Sequence, residues 1–221
     1  MKLHWSPRSP FVRKVMIVLH ETGQLDRVER VRTVVAVGTP PGPDILDDNP
    51  LGKIPALVLD DGRCLFDSRV ICEYLDTRHA GQRLLPDDGE ARLTHLRWQA
   101  LGDGVTDILL LMRTEYLRAQ PDATILEGFR RKLFASFGRL EAEAEQWVAT
   151  PFGLGQISVL CAIGQLDFRY AGSNWQAAYP ALAGWYDAYS QRDSVKATAV
   201  VDDAPPTGED THSLLDFLQI R

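Results

Sequence analysis

The chain has 221 residues, 45% hydrophobic and 24% charged, with a formal net charge of -6 at pH 7. That balance excludes wholesale disorder, which needs low hydrophobicity and high net charge. It also argues against nucleic acid as the main partner, because phosphate binding needs a cationic footprint.

The length suits two small domains. Lys2-Leu3-His4-Trp5 reads as a short strand. From Pro10 to His20, Phe11, Val12, Val15, Met16, Val18 and Leu19 fall mostly along one face at helical spacing. Ser9 stands where it can cap this helix, Pro10 takes its first position and Gly23 marks its end. Val28 to Val37 is Val-rich and reads as a strand. Ala56 to Leu59, Asp60-Asp61-Gly62 and Arg63 to Phe66 read as a hairpin around a glycine turn. Ser68 to His79 returns to helix, with Val70, Ile71, Tyr74 and Leu75 inward.

Gly81 to Gly89 reads as a linker, after which the strand signal disappears. Helical patterns run over Ala91 to Leu117, Glu127 to Val148, Ile157 to Tyr170 and Ala177 to Tyr189. The expected organisation is therefore an α/β domain over residues 1–80, a linker over 81–90 and an all-α domain over 91–221. The tail from Asp202 to Asp210 is polar and expected to be mobile, while Leu214, Leu215, Phe217 and Leu218 could dock as a last turn.

The cysteines Cys64, Cys72 and Cys161 have neither CxxC nor metal-ligand spacing, so packed, reduced thiols are expected, with no disulfide framework and no metal centre. The start lacks the apolar core of a signal peptide, and no window approaches the roughly 18 apolar residues of a membrane span. A soluble, cytoplasmic protein with no membrane partner is the expectation.

Three segments could carry chemistry. A hydroxyl at Ser9 is accounted for by capping alone, yet a helix N-terminus also stabilises an anion, and a serine O–H aimed at a thiolate adds a donor. No Ser–His–Asp arrangement is evident, which disfavours a serine hydrolase. Ile54-Pro55 either ends a loop or turns an edge of backbone outward through a cis bond, ready to pair with a peptide. Asp67-Ser68 opens a helix. One of the two suffices as a cap, so the pair leaves room to hold an amino-acid terminus, carboxylate on the helix start and ammonium on Asp67. Lys53 could take a second carboxylate or simply be solvated.

Taken in order, Ser9-Pro10-Phe11-Val12-Arg13-Lys14-Val15, Asn49-Pro50-Leu51-Gly52-Lys53-Ile54-Pro55 and Asp67-Ser68 resemble the glutathione S-transferase family, in its serine-type, bacterial-like form. The resemblance implies a thioredoxin-like N-terminal domain of order βαβαββα followed by an all-α C-terminal helical bundle. It implies glutathione as co-substrate, Ser9 as the catalytic hydroxyl, a cis Pro55, Ile54 pairing with the cysteinyl part, Asp67 and Ser68 at the γ-glutamyl end and Lys53 near the glycyl end. Ser6 is the alternative activating hydroxyl; Ser9 is preferred because it directly precedes the helix. The family's capping box falls on Ser158, with Cys161 where a carboxylate is usual.

The activity so implied is detoxifying conjugation of glutathione to a small hydrophobic electrophile by a homodimer. Glutathione-dependent peroxide or disulfide reduction, or a non-catalytic glutathione-binding scaffold, are the alternatives. Met112, Arg113 and Tyr116 are candidates to line the electrophile pocket, though residues at helical spacing are more often ordinary core. Asp103 and Asp107 could face a partner subunit or glutathione, or form a solvated acidic face.

Overall fold

The computed structural model describes residues 1–37, 39–203 and 211–219. The chain divides into two compact units, one of Met1–Leu96 with Asp193–Asp203 and one of Arg97–Arg192 with the C-terminal residues. Residues 193–203, expected in the helical half, thus belong to the first unit.

The first unit runs β1 (Lys2–Trp5), α1 (Pro10–Glu21), β2 (Glu29–Arg32), α2 (Pro43–Asp48), β3 (Ala56–Val58), β4 (Cys64–Leu65) and α3 (Ser68–Asp76), with α10 (Asp193–Ala197) added from far along the chain. The sheet order is β2-β1-β3-β4. β1 is parallel to β2 and antiparallel to β3, and β3 is antiparallel to β4. This is the thioredoxin-like order βαβαββα. Ser9 caps α1 by accepting from Val12 N–H at 3.3 Å. The helix closes at Gly23, φ 64°, where Gln24 N–H reaches back to Leu19 O at 2.9 Å.

Two expectations are corrected here. The strand expected over Val28 to Val37 covers only Glu29–Arg32, and Val34 and Val37 are 71% and 58% exposed. β2 is an edge strand whose one neighbour, β1, stops at Trp5, so its ladder ends with it. Val70, expected inward on α3, is 47% exposed, whereas Ile71 and Leu75 are fully buried.

After α3 the chain is tied down by Asp76. Its fully buried carboxylate accepts from Leu84 N–H (2.8 Å), Leu85 N–H (3.0 Å), His79 Nε2 and Arg83 Nε (both 3.2 Å). The segment read as a linker is therefore held against the first unit through its own backbone.

The long helix α4 (Gly89–Tyr116) continues into the second unit, which adds α5 (Ala123–Ala142), α6 (Ala144–Ala149), α7 (Leu154–Arg169), α8 (Trp175–Ala178) and α9 (Pro180–Ser190). α7 is the core helix, buried from Leu154 to Leu166. Trp98 and Trp147 stack at 4.1 Å, and Phe137 meets Phe217 at 4.7 Å. Leu215 and Phe217 dock as expected, while Leu218 is exposed. Residues 204–210 of the expected mobile tail lie outside the described residues.

The helix expected over Glu127 to Val148 breaks at Glu143. Its carboxylate is held by Arg97 (2.9 and 2.8 Å) and by the Trp98 indole N–H (2.7 Å), 46 and 45 residues away, and by Arg139 at 2.6 Å. Burial pushes that carboxyl up, but these donors more than offset it and leave it below the usual range. The helix expected over Ala177 to Tyr189 is divided by Pro180, which lacks an N–H and forces Tyr179 out of helical geometry, ψ 70°. The freed Ala181 and Leu182 N–H groups are taken by Glu141 at 3.0 and 2.7 Å.

Ser158 is not a cap. It lies inside α7, with its hydroxyl buried and unpartnered among the described residues. The helix starts earlier, at Gly153, whose N–H is accepted by Gln156 Oε1 at 2.8 Å, so Gln156 supplies the reciprocal half of a capping box.

Candidate functional site

Strand direction brings the three candidate segments to one end of the sheet. Pairing of His4 with Ala56 and of Leu57 with Leu65 sets the C-terminal ends of β1 and β4 beside the N-terminal end of β3. Ser9 follows β1, Ile54-Pro55 precedes β3, and Asp67-Ser68 follows β4. Three adjacent strands span two inter-strand spacings, about 10 Å, which is also the length of about three extended residues.

At the middle position the Ile54–Pro55 peptide is cis, as is Phe66–Asp67. Ile54 N–H and C=O have no hydrogen-bond partner among the described residues, so a stretch of main chain is left unpaired where the β3 ladder ends. The loop presenting it is shaped by Asn49, which is buried. Asn49 Nδ2 donates to Lys53 O at 2.8 Å and its Oδ1 accepts from Leu51 N–H at 3.1 Å. Gly52 sits at φ 60°, and a Cβ there would lie 2.6 Å from Pro41 Cγ. Asn49 had no role in the sequence reading; its signal was an amide beside Pro50 and Gly52, a turn composition whose partner across the loop is visible only in three dimensions.

At one flank, Ser9 is half-buried and its oxygen accepts from Val12, leaving its hydrogen free to donate outward. Ser6 is buried, with its oxygen accepting from Arg8 N–H at 3.4 Å. At the other flank, Asp67 caps α3 through one oxygen, accepting from Arg69 N–H at 2.9 Å. Ser68 and Val70 N–H groups in the first turn have no partner among the described residues. Lys53 is exposed and makes no ion pair among the described residues. The geometry offers a hydroxyl donor at one flank, an unpaired peptide edge preceded by a cation in the middle, and a helix start beside a carboxylate at the other flank.

Residues 8–78 match the family description "Glutathione S-transferase, N-terminal domain", and residues 123–188 match "Glutathione S-transferase, C-terminal domain". The chain belongs to the glutathione S-transferase family. It is 32% identical over 203 residues to the uncharacterized GST-like protein YibF of Escherichia coli, covering 90% of this chain and 98% of that protein. A glutathione transferase family member from Pseudomonas fluorescens Pf-5, solved with bound glutathione, superposes with a TM-score of 0.85 at 46% identity, covering 93% of this chain and 99% of that one. A glutathione S-transferase from Methylobacillus flagellatus KT, with glutathione bound, gives a TM-score of 0.83 at 40% identity over 90% and 99%.

The other candidates separate. Met112 is buried core, Arg113 is half-buried and Tyr116 is exposed. Asp103 is buried and Asp107 exposed, so the two do not form one solvated acidic face. Cys72 and Cys161 are buried, and burial pushes the Cys64 thiol up, so no cysteine among them is tuned for nucleophilic exchange. No group of three or more His, Cys, Asp or Glu side chains suited to a metal ion occurs among the described residues. No helix among them is long and apolar enough to cross a membrane.

Proposed function

We propose that this chain is a glutathione transferase. Glutathione lies across the strand ends with its cysteinyl backbone on Ile54. The γ-glutamyl carboxylate sits on the N–H groups that open α3, and its ammonium on Asp67. Ser68 flanks that end, and Lys53 takes the glycyl carboxylate. The observation that carries this reading is the unpaired Ile54 main chain beside cis Pro55, standing between two helix starts. Glutathione in the solved relatives supports it. So does the thioether S-(propanoic acid)-glutathione bound in a further structure from Pseudomonas fluorescens Pf-5, 44% identical to this chain.

In this reading the Ser9 hydroxyl donates to the sulfur and favours its ionised form. The thiolate then forms the S–C bond to a small hydrophobic electrophile, while the leaving group departs or the adduct takes a proton. Lowering a thiol pKa by roughly two units corresponds to ~2.7 kcal/mol, within reach of one charge-assisted hydrogen bond plus a helix terminus. Serine in place of cysteine, and cysteines that are buried or raised, set disulfide exchange below conjugation.

Ser9→Ala is expected to raise the pKa of bound glutathione and slow conjugation without unfolding the protein. An unchanged pH–rate profile removes Ser9 from the mechanism. Glutathione binding without turnover of any electrophile, hydroperoxide or mixed disulfide would instead make the protein a scaffold. The reading includes a homodimer and action in the cytoplasm, where thiols stay reduced. Val70 on α3 and Leu93 and Leu96 in the first turns of α4 leave exposed apolar surface on one unit that a second copy could cover. A sedimentation mass of one chain would contradict the dimer.

A further inference from the structure

We propose that His4 is a positioning residue for glutathione binding: it is held as a doubly protonated imidazolium that, through Asp48 at the end of α2, fixes the loop presenting Ile54. This role rests on glutathione lying along Ile54, as proposed above, and adds a proton-linked latch to that site.

His4 is 2% exposed on β1, the strand between β2 and β3. Its Nε2 lies 2.7 Å from Asp48 Oδ2 and its Nδ1 2.8 Å from Thr33 Oγ1. Lys2 Nζ donates to the same Asp48 oxygen at 2.7 Å. Counting hydrogens gives the charge. The Asp48 carboxyl is held below its ordinary value by the His4 and Lys2 hydrogen bonds, and a carboxylate only accepts, so His4 Nε2 carries a hydrogen. Thr33 has one hydroxyl hydrogen, which it donates to Val31 O at 3.2 Å. Thr33 Oγ1 therefore accepts from His4 Nδ1–H, and both ring nitrogens are donors.

The surroundings favour that charge. Asp47 and Asp48 stand at the negative end of the α2 dipole, and its last turn has no basic residue. Asp44 lies on the same short helix. Ladder register sets Lys2 beside Glu29 on the His4 face of the sheet, and Cys64 follows through Val58. Burial pushes the Cys64 thiol up, so it stays neutral. Arg30 and Arg32 alternate to the opposite face. The charged groups of the elements around His4 are thus one cation, Lys2, and the acids Glu29, Asp44, Asp47 and Asp48.

The link to the ligand is short. α2 has six residues, too few to hold a helix alone, so it depends on Ile45, 1% exposed, and on the grip at Asp48. Asn49 follows directly and donates from Nδ2 to Lys53 O at 2.8 Å, the carbonyl next to Ile54. Histidine changes charge between about pH 5 and 8. When His4 gives up its Nδ1 hydrogen, Thr33 must turn its own hydrogen to the ring and leave Val31 O. Asp48 then keeps one cation of two. Its hold on α2 slackens as pH rises, and the Ile54 edge loses its fixed position.

The test uses S-methylglutathione, which has no thiol to ionise, bound to the full chain and followed by calorimetry from about pH 5.5 to about pH 8.5. Affinity should fall about fivefold across that range, the worth of one hydrogen bond. Near the midpoint, binding should take up part of a proton, read from the heat in buffers of different ionisation enthalpy. His4→Gln and Asp48→Asn, each first checked for folding by thermal melting, should lose both the slope and the uptake. Imidazole nitrogen NMR of the parent, which needs no variant, should show a histidine protonated on both nitrogens that gives up one hydrogen at the same midpoint. A flat affinity profile in the parent, an unchanged slope in either folded variant, or no histidine titrating with the affinity each overturns the role of His4. Binding that is flat with pH defeats the latch alone, whereas no binding of S-methylglutathione at any pH defeats the proposed transferase function and the latch with it.

Discussion

Gly102 lies where α4 crosses the buried helix α7, and replacing it by alanine measures how close that crossing is. An added Cβ would stand 2.6 Å from Ser158 C, 2.8 Å from Val159 N and 2.9 Å from Ser158 O. These are backbone atoms of a helix buried along its length, so no side chain can swing aside. Restoring ordinary contact requires the helices to part by about 0.8 Å, against close packing on every other side. Such overpacking costs about 1–3 kcal/mol, and backbone against backbone argues for the upper end. Alanine's better helix propensity returns up to about 1 kcal/mol, for a net loss of about 2 kcal/mol. At this chain length that lowers the melting temperature by roughly 4–8 °C. Gly104, on the same helix, has nothing within 4 Å of its added Cβ. Gly104→Ala should therefore gain about 0.5–1 kcal/mol. Scanning calorimetry of the two variants and the parent is the assay, comparing whole heat-absorption profiles because two units can melt separately. If Gly102→Ala melts with or above the parent, the argument from close approach is wrong.

Asp76→Ala strips four donors of their acceptor, two of them backbone N–H groups in the 81–88 segment, and should cost about 3 kcal/mol or more. Thermal melting reads this, and a variant within about 0.5 kcal/mol of the parent would show the clamp to be dispensable. Asp48 holds α2 to β1, meeting His4 Nε2 and Lys2 Nζ, each at 2.7 Å. The His4 and Lys2 hydrogen bonds keep its carboxyl below the ordinary value of 3.8. A folded-state pKa below the unfolded one contributes stability that is complete above the unfolded value and fades as pH falls through the folded one. Urea unfolding from about pH 5 downward should therefore show a loss below pH 3.8 that Asp48→Asn lacks. Parallel curves for the two proteins would contradict the assignment.

Much of the fold was legible because its causes are local. Ser9 and Val12 are three residues apart, the turn at Gly62 joins runs that touch it, and the helix ends at Gly23 with Gly23 N–H on His20 O and Gln24 N–H on Leu19 O. The candidate site was legible in its parts for the same reason: Asp67 caps the helix it opens. What the parts lacked was a reason to be together, and that came from strand direction, which aligns the ends of β1, β3 and β4.

Caps, turns and periodicity act within a few residues, so the kinds of element, their order and the chemistry on offer at Ser9, Ile54-Pro55 and Asp67-Ser68 are readable from the chain alone. Tertiary structure alone decided where elements stop and what lies across from them. β2 ends at Arg32 because β1 runs out, and the long helix breaks at Glu143 where Arg97 and Trp98 grip its carboxylate. Gly102 is constrained by a backbone 56 residues along the chain, and residues 193–203 join the first unit from the far end of the sequence. Hydrogen bonds and van der Waals contacts act over a few ångströms of space, and only folding converts distance along the chain into that range.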